Sequence, residues 1–330
     1  MRSVLALLIV FTHAFTCYNG SWEPPVGYVD IPLYKWLTRI SFAFTLEAFV
    51  FISGYLFAFQ RITLKKEEGL YHLIINKAKR LILPCIVFGL VYFIIFLPYK
   101  GVNDAVYSIL NGCGHLWFLP MLFWCFIGCW LIEKIPFQDG VKFAILVLLN
   151  LLMLLPLPLR LNNASSFLVY FYGGFLCYKY KEQIYDLITP NRIIWSWIVF
   201  IVLFAVLRPL RDVLVTSEEQ TILQRLFVHL GNRACQFSYA WAGLIAFYST
   251  VVYYSKGHQL SKTTFKIGAC CFGIYLFQQF VLLLLYYHTS FPSFVGSYLL
   301  PWCGFVIAAC ISFVLSDLLL KAKIGRYLIG

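Results

Sequence analysis

Long apolar runs alternate with short charged stretches along nearly all of this chain of 330 residues. The ten runs cover approximately residues 3–18, 36–59, 81–97, 115–133, 141–157, 164–180, 193–208, 233–254, 267–287 and 299–320. About 20 apolar residues are enough for one helix to cross the hydrocarbon core of a membrane. The pattern therefore predicts an all-α, polytopic membrane helix bundle of about ten transmembrane helices. We expect a single integral-membrane domain over residues 1–330, with no fused soluble domain.

The composition also indicates a membrane protein. Hydrophobic residues make up 61% of the chain, charged residues make up 12%, and the mean hydropathy is +0.80. Charged residues are about twice as frequent in soluble domains. The net charge is +12, but the loops on the side of the N-terminus hold 18 Lys and Arg residues and the other loops hold 8. Because cytoplasmic loops carry the excess of Lys and Arg, we predict that both termini are cytoplasmic and expect no nucleic-acid partner.

The cysteines indicate neither a metal site nor a disulfide framework. There are 11, an odd number, they include no C-x-x-C pair, and most lie within apolar runs. Cysteines of this kind pack as small apolar side chains. We therefore predict that the protein has no metal.

The first apolar run contains a cation and an imidazole, Arg2 and His13. At the rise of an α-helix they lie about 16 Å apart along the axis, so His13 falls near the middle of the bilayer when Arg2 is at its surface. Ionisable groups at that depth face a bundle interior or a hydrated cavity, and they usually have a function. The alternative is a histidine that serves only as a structural hydrogen-bond partner. We predict that His13 is catalytic and that Arg2 assists it.

The second run contains a carboxylate, Glu47, and a small pair, Ser53 and Gly54. A carboxylate within an apolar run has to be neutral, paired or in contact with water, so we predict that Glu47 belongs to the catalytic group, with His13 as one candidate for its hydrogen-bond partner. The small pair is typical of close helix packing or a kink. Ser53 is also a candidate for binding the cofactor.

Basic residues lie ahead of the third run, at Lys77, Lys79 and Arg80. The excess of basic residues in cytoplasmic loops is one explanation for them. The other is an anion-binding group, because Lys77 and Arg80 are three residues apart and share one face of a helix. We predict that the three residues bind the phosphates of a cofactor.

Candidate substrate contacts lie in the fourth and ninth runs. His115 and Trp117 open the fourth run, where an interfacial aromatic belt is the alternative interpretation. Tyr275 and Gln279 are four residues apart on one helix face, where interhelical hydrogen bonding is the alternative. Neither pattern alone identifies a substrate.

A further candidate is the polar segment between Arg208 and Arg233, which surrounds TSEEQ at 216–220 and also contains Arg211. We predict that it is the longest external loop. It is either a solvated loop with arginines at the membrane interface or a lid that binds the substrate through Arg208, Arg211 and Arg233.

Together these motifs resemble acyltransferase family 3 of membrane-bound enzymes. The resemblance consists of R-x10-H in the first run, FISGYL in the second, a basic pair ahead of L-x-x-P in the third, HLWFLP in the fourth and FGIYLFQ in the ninth. It implies a bundle of about ten helices in the bacterial inner (cytoplasmic) membrane. It also implies transfer of an acyl group, usually acetyl, from cytoplasmic acyl-CoA to a hydroxyl of a cell-envelope saccharide or glycolipid.

The resemblance assigns the functional arginine and histidine of the family to Arg2 and His13, and its basic pair to Lys77 and Arg80. Lys77 replaces an arginine and so loses the bidentate guanidinium. Gln278 and Gln279 follow IYL, where many members have a histidine, so this chain offers no second base there.

The implied mechanism uses acyl-CoA as a co-substrate and no tightly bound cofactor. Arg2, Lys77, Lys79 and Arg80 would hold the CoA phosphates, while His13 would act as the general base. The partners would be acyl-CoA, a saccharide or lipid-linked sugar acceptor, and membrane lipid. The alternative is a secondary transporter or flippase for a small or lipid-linked sugar, with His13 and Glu47 as a proton relay. The sequence shows no internal repeat, which favours the transferase.

Overall fold

The computed structural model of the protein describes residues 1–25, 27–66, 68–97, 101–152, 157, 159–215, 221–257 and 261–329. These residues form helices joined by short connections, and they contain no β-strand. In chain order the helices are α1 (Arg2–Ala14), α2 (Pro32–Phe42), α3 (Thr45–Ile62), α4 (Leu70–Lys77), α5 (Leu83–Phe96), α6 (Val102–Asn111), α7 (Phe118–Lys134), α8 (Asp139–Leu152), α9 (Leu161–Lys179), α10 (Lys181–Asp186), α11 (Pro190–Val215), α12 (Ile222–Ser255), α13 (Lys262–Tyr287), α14 (Phe291–Lys321) and α15 (Lys323–Ile329).

Within the described residues, six segments are long and apolar enough to cross a membrane. They are Pro32–Ile62, Leu70–Phe96, Gly114–Lys134, Pro190–Leu214, Lys262–Tyr287 and Phe291–Lys321. Helix α1 is also apolar but has only 13 residues. The all-helical, multi-pass class is therefore confirmed. The number of ten spans and the cytoplasmic location of both termini stay predictions.

The chain divides into two compact units. Unit 1 contains Met1–Phe42, Tyr71–Phe123 and Leu260–Gly330. Unit 2 contains Ala43–Leu70 and Trp124–Gln259. The two candidate groups of buried polar residues, around His13 and around Glu47, belong to unit 1 and unit 2 respectively.

In unit 1, helix α1 packs against α13 and α14 and is tied to them at both ends. The Ser3 hydroxyl donates a hydrogen bond to the Thr264 carbonyl at 2.7 Å. Near the other end of α1, the Tyr286 hydroxyl donates to the Ala14 carbonyl at 2.9 Å. Helices α1 and α13 therefore run in the same direction, and successive residues of α13 follow α1 from its basic start to His13.

A π-helical segment, Ala78–Ile82, connects α4 to α5 and contains Lys79 and Arg80. Proline has no N–H group, so Pro84 leaves the Arg80 carbonyl without its usual partner in the helix, which favours a widened turn at this point. Helix α15 packs against the segment. The segment and its basic residues belong to unit 1.

Unit 2 is built on close contact between α3 and α9, with α8 against α9 and α11 against α12. A Cβ atom added at Gly54 would overlap the Phe171 carbonyl, and one added at Gly174 would overlap the Phe51 carbonyl. The two helix backbones thus touch at a pair of glycines. The prediction of close packing at Ser53 and Gly54 is confirmed. The Ser53 hydroxyl itself donates to the Phe49 carbonyl of its own helix at 2.8 Å.

The prediction of a long loop between Arg208 and Arg233 is wrong for the described residues. Helix α11 continues to Val215, and α12 begins at Ile222. The start of α12 is fixed by a capping box, in which Thr221 and Gln224 exchange side-chain and backbone hydrogen bonds at 2.8 and 3.3 Å. Residues 216–220, the TSEEQ segment, lie outside the described residues.

Polar groups on these two helices satisfy each other, which explains why a polar stretch is helical. Arg208 forms an ion pair with Asp212 one turn later, at 3.2 Å. Arg211 donates to Asn232 of α12 and, at 2.8 Å, to the Tyr239 hydroxyl. The arginines therefore belong to a packed helix pair.

Candidate active site

The His13 ring is oriented by its own helix. Its Nδ1 atom lies 3.0 Å from the Ile9 carbonyl oxygen. Because a carbonyl only accepts hydrogen bonds, this contact assigns the ring proton to Nδ1. In the neutral ring, Nε2 then carries a lone pair that accepts a proton or a hydrogen bond.

Three other rings enclose the His13 imidazole. Trp22 stacks on it with a centroid distance of 6.4 Å and an interplanar angle of 28°. Phe42 and His115 approach it edge to face, at 6.0 and 6.4 Å. The ring is partly buried, at the end of α1 opposite to Arg2.

His115 is buried and does not belong to an interfacial belt. It lies in the 3-10 turn Gly114–Trp117, which folds inward because Gly112 and Gly114 adopt positive φ angles of 80° and 52°. A side chain at Gly114 would also collide with Tyr92, since an added Cβ would lie 2.7 Å from its ring. The belt interpretation is therefore wrong for His115.

Helix α13 holds His115 by three hydrogen bonds. The His115 backbone N–H donates to Gln279 Oε1 at 3.1 Å, and the Tyr275 hydroxyl donates to the His115 carbonyl at 2.5 Å. The His115 Nε2 atom lies 3.0 Å from the Leu276 carbonyl oxygen, so Nε2 carries the ring proton. Tyr275 and Gln279 thus form the interhelical hydrogen bonds foreseen as the alternative, and these bonds position His115.

The two histidines use different ring nitrogens for their backbone hydrogen bonds: Nδ1 in His13 and Nε2 in His115. The His115 Nδ1 atom is buried and has no hydrogen-bond partner among the described residues. In His13 the nitrogen that does not bond to Ile9 is Nε2. Since buried polar atoms are usually hydrogen-bonded, an unpartnered ring nitrogen beside a second imidazole indicates a place for water or for a substrate hydroxyl.

The basic residues of unit 1 lie toward the opposite end of α1. The Arg2 and Arg80 guanidinium groups are both close enough to the Cys271 thiol of α13 to act on it electrostatically. Arg2, Lys79 and Arg80 are exposed, and Lys77 is partly exposed. Arg2 and Arg80 therefore share a neighbour on α13, and Arg2 lies about 16 Å from His13 along the axis of α1.

Comparison with protein families assigns the chain. The family model of the acyltransferase domain of family 3 matches residues 1–321. The chain belongs to acyltransferase family 3. Comparison with curated proteins and with solved structures found no significant match. The family assignment supports a membrane acyltransferase, and it agrees with the resemblance seen in the sequence.

In this family 3 acyltransferase, Glu47 lies in unit 2 in a second polar group. It is buried, with 3% of its surface exposed, and accepts a hydrogen bond from Gln236, with Arg211 nearby. Its Oε2 atom has no hydrogen-bond partner among the described residues. Glu47 and His13 thus each have partners within their own unit, and a catalytic role for Glu47 stays a prediction.

A cavity of about 40 Å³ adjoins Glu47. Its lining also includes Asn150, Ser166, Tyr170 and Arg233. A cavity of this size holds about one water molecule. Arg233 and Arg211 therefore stand beside Glu47 inside unit 2, and Arg208 is paired with Asp212 as described above.

Two further contacts of the acyltransferase were predicted from the sequence, those of Trp117 and Ser53. Trp117 is partly buried in the turn that carries His115. A substrate contact of Trp117 stays a prediction, as does the binding of the cofactor by Ser53. Among the described residues, no group of three or more His, Cys, Asp or Glu side chains could hold a metal ion.

The sequence interpretation missed Trp22 and Phe42, which enclose His13. Trp22 belongs to the polar segment directly after α1, and Phe42 is the last residue of α2. An aromatic residue nine positions after a membrane histidine is a usable signal when the helix ends directly after the histidine, because the chain then has little length in which to leave the site. The segment was overlooked because its composition is that of an ordinary loop.

Proposed function

We propose that this protein transfers an acyl group, usually acetyl, from cytoplasmic acyl-CoA to a hydroxyl of a cell-envelope saccharide or glycolipid at the bacterial inner membrane. The observation that carries the proposal is the bond between His13 Nδ1 and the Ile9 carbonyl. It leaves Nε2 free to accept a hydroxyl proton, on the same helix that begins with Arg2. The donor, acceptor and location extend the family assignment.

The basic end of unit 1 suits the donor. CoA carries several phosphate charges, and guanidinium groups bind phosphate through two parallel hydrogen bonds. Arg2 and Arg80 both act electrostatically on Cys271 of α13, and Lys77 and Lys79 are neighbours of Arg80 in the sequence, which supports a common role for the four residues. With the phosphates held there, the flexible pantetheine arm would extend along α1 and bring the thioester toward His13.

The reaction at His13 is a proton transfer coupled to acyl transfer. His13 Nε2 takes the proton of the acceptor hydroxyl while the hydroxyl oxygen attacks the thioester carbonyl carbon. The new C–O bond forms, the C–S bond breaks, and the imidazolium returns the proton to the departing CoA thiolate. A general base of this kind contributes about 10²- to 10⁴-fold to the rate.

His115 has a supporting role in this scheme. Its Nε2 proton is committed to the Leu276 carbonyl, so its free Nδ1 accepts hydrogen bonds and does not donate them. It suits a second hydroxyl, or a water, beside the reacting one. His115 therefore orients the acceptor, and His13 deprotonates it.

The test is the substitution His13→Ala, with the exposed His72→Ala of α4 as a matched control. We expect transfer of radiolabelled acetyl from acetyl-CoA to membrane glycans to fall at least about 100-fold in His13→Ala, since the general base is lost. His72→Ala should transfer normally. Both variants should insert into the membrane in wild-type amounts.

Retained transfer by a well-inserted His13→Ala protein would contradict the proposal. Flux of a sugar across vesicles without acyl-CoA would favour the transporter alternative. The two measurements use the same purified protein, so one preparation decides between the enzyme and the transporter.

A further inference from the structure

A cavity of about 460 Å³ lies beside the connection between α1 and α2. Its lining consists of residues 17–24 together with Tyr28, Asp30 and Lys35. Cavities of about 300–1,000 Å³ are the usual size of small-molecule sites. This one is large enough for a monosaccharide unit, and none of the roles assigned above uses it.

The connection is fixed to the helices of unit 1. The Tyr287 hydroxyl donates to the Glu23 carbonyl at 2.7 Å. The Ser297 hydroxyl donates to the Gly27 carbonyl at 3.2 Å and accepts from the Val29 N–H at 3.0 Å. These bonds hold the wall of the cavity in a defined position, as a binding site requires.

Trp22 links the cavity to His13. Its ring lines the cavity and also stacks on the imidazole. On the side of α13 it is held edge to face by Tyr286 and Tyr287, at 6.5 and 6.3 Å. Only the Trp22 ring therefore separates His13, the proposed base, from a ligand that contacts the other side of this ring in the cavity.

The charges of the lining disfavour an anionic ligand. Glu23 and Asp30 contribute two negative charges, and Lys35 contributes one positive charge. The phosphates of an acyl-CoA are repelled by this balance and attracted by the basic residues near Arg2 and Arg80. The cavity and the basic end therefore suit different molecules.

The chemistry of the lining suits a saccharide. Carboxylates accept hydrogen bonds from sugar hydroxyls, the Asn19 amide both donates and accepts, and an indole ring offers an apolar face to a sugar ring. Burial and the Asp30 carboxylate raise the pKa of the Tyr28 phenol to about 12, so this hydroxyl stays protonated and can donate. Donors, acceptors and a flat apolar surface are thus all present.

We infer that this cavity binds the acyl acceptor, that the ligand is a neutral polyhydroxylated group such as a saccharide unit, and that Trp22 is the surface on which it stacks. The identity of the ligand as an acceptor rests on the proposed function. The binding of a neutral sugar does not, because it follows from the lining alone.

The experiment measures saturation-transfer NMR on the full-length protein in lipid nanodiscs. The probes are three neutral sugars, the methyl α-glycosides of glucose, galactose and mannose, and one anionic sugar, glucuronic acid. At least one neutral glycoside should receive saturation from wild type, and glucuronic acid should receive less. Trp22→Ala should reduce the neutral signal at least fivefold, whereas the control Trp36→Ala, which replaces an exposed Trp of α2, should keep it.

A second variant tests the charge and does not depend on Trp22. Asp30→Lys should shift the ratio of signals toward glucuronic acid, while Asp104→Lys on the exposed side of α6 should leave the ratio unchanged. The inference is overturned if no neutral glycoside binds, if binding survives Trp22→Ala, or if Asp30→Lys leaves the ratio unchanged.

Adding acetyl-CoA separates this inference from the proposed function. A neutral glycoside that binds through Trp22, in a protein that neither binds acetyl-CoA nor transfers acetyl, leaves the cavity assignment intact and refutes the enzyme reaction. Acetyl transfer that does not respond to Trp22→Ala refutes the cavity and leaves the reaction.

Discussion

Unit 1 and unit 2 each place polar side chains inside an apolar bundle, but they satisfy them differently. In unit 1, His13 and His115 each donate a hydrogen bond from one ring nitrogen to a backbone carbonyl. The other ring nitrogen of each can accept a hydrogen bond or a proton. In unit 2, Glu47 lies among an amide and arginines, including Gln236 and Arg211. The first arrangement is uncharged until it takes up a proton, whereas the second combines a buried carboxyl group with cationic neighbours.

The difference suggests separate tasks for the two groups. A neutral imidazole with a free nitrogen is suited to exchange protons with a substrate. A buried carboxyl group that is hydrogen-bonded to another helix contributes to packing, because its removal leaves a buried polar partner unpaired. We therefore expect substitutions in unit 1 to affect chemistry and those at Glu47 to affect stability.

The largest of the effects that sharpen this comparison is expected at Glu47. Glu47→Ala removes the buried partner of the Gln236 side chain, which should lower the free energy of unfolding by about 2 kcal/mol. Thermal unfolding in detergent measures it, with the exposed Glu182→Ala of α10 as the control. A Glu47→Ala protein as stable as wild type but inactive would instead place Glu47 in catalysis, as the sequence interpretation proposed.

A smaller effect is expected at the basic end of unit 1. Arg80→Ala should raise the KM for acetyl-CoA about tenfold with little change in kcat, because a phosphate contact far from the reacting carbon binds ground state and transition state equally. Steady-state kinetics at varied acetyl-CoA measure it, and Arg326→Ala, an exposed basic residue of α15, serves as the control. A fall in kcat with unchanged KM would contradict the donor site.

The smallest effect is expected at a surface ion pair of unit 2. Asp139 accepts hydrogen bonds from Lys179 Nζ and the Tyr180 hydroxyl, both at 2.6 Å. Burial alone would raise the pKa of Asp139, but these two partners outweigh burial and lower it. The stabilisation is therefore present above the pKa of the unfolded chain, about 3.9, and is lost as the pH falls through the lower pKa of the folded state.

Asp139→Asn should accordingly lower the free energy of unfolding by about 1 kcal/mol at neutral pH and have progressively less effect in acid. Unfolding curves of both proteins between neutral and acidic pH measure this difference. A difference that grows toward low pH would have the wrong sign for a carboxylate with a lowered pKa.

The helical membrane class and the grouping of Arg2, His13 and Arg80 in one unit could be predicted from the sequence. Apolar length, basic loops and the motif R-x10-H are local patterns, and local patterns are what a sequence displays. The close packing at Gly54 followed from the same kind of reasoning, since small residues in an apolar helix favour close approach.

The position of His115 and the helical nature of the segment around Arg208 could not be predicted in this way. His115 is buried because two glycines with positive φ turn the chain inward, and the sequence alone does not distinguish that turn from an exposed one. The segment around Arg208 is helical because Arg211 donates hydrogen bonds to Asn232 and Tyr239 of α12. Both outcomes depend on tertiary partners that are distant in the sequence.

The widened turn at Ala78–Ile82 has a consequence for how the basic residues tolerate insertions and deletions. Each residue of a helix rotates the chain by about 100° about the helix axis. The loss of a single residue in the turn would therefore rotate α4, and Lys77 with it, by about that angle relative to α5. Point substitutions in α4 do not change this orientation. The direction in which the basic side chains of α4 point thus depends on the number of residues in the turn. A deletion or insertion of one residue there would change that direction even though the basic residues themselves were kept.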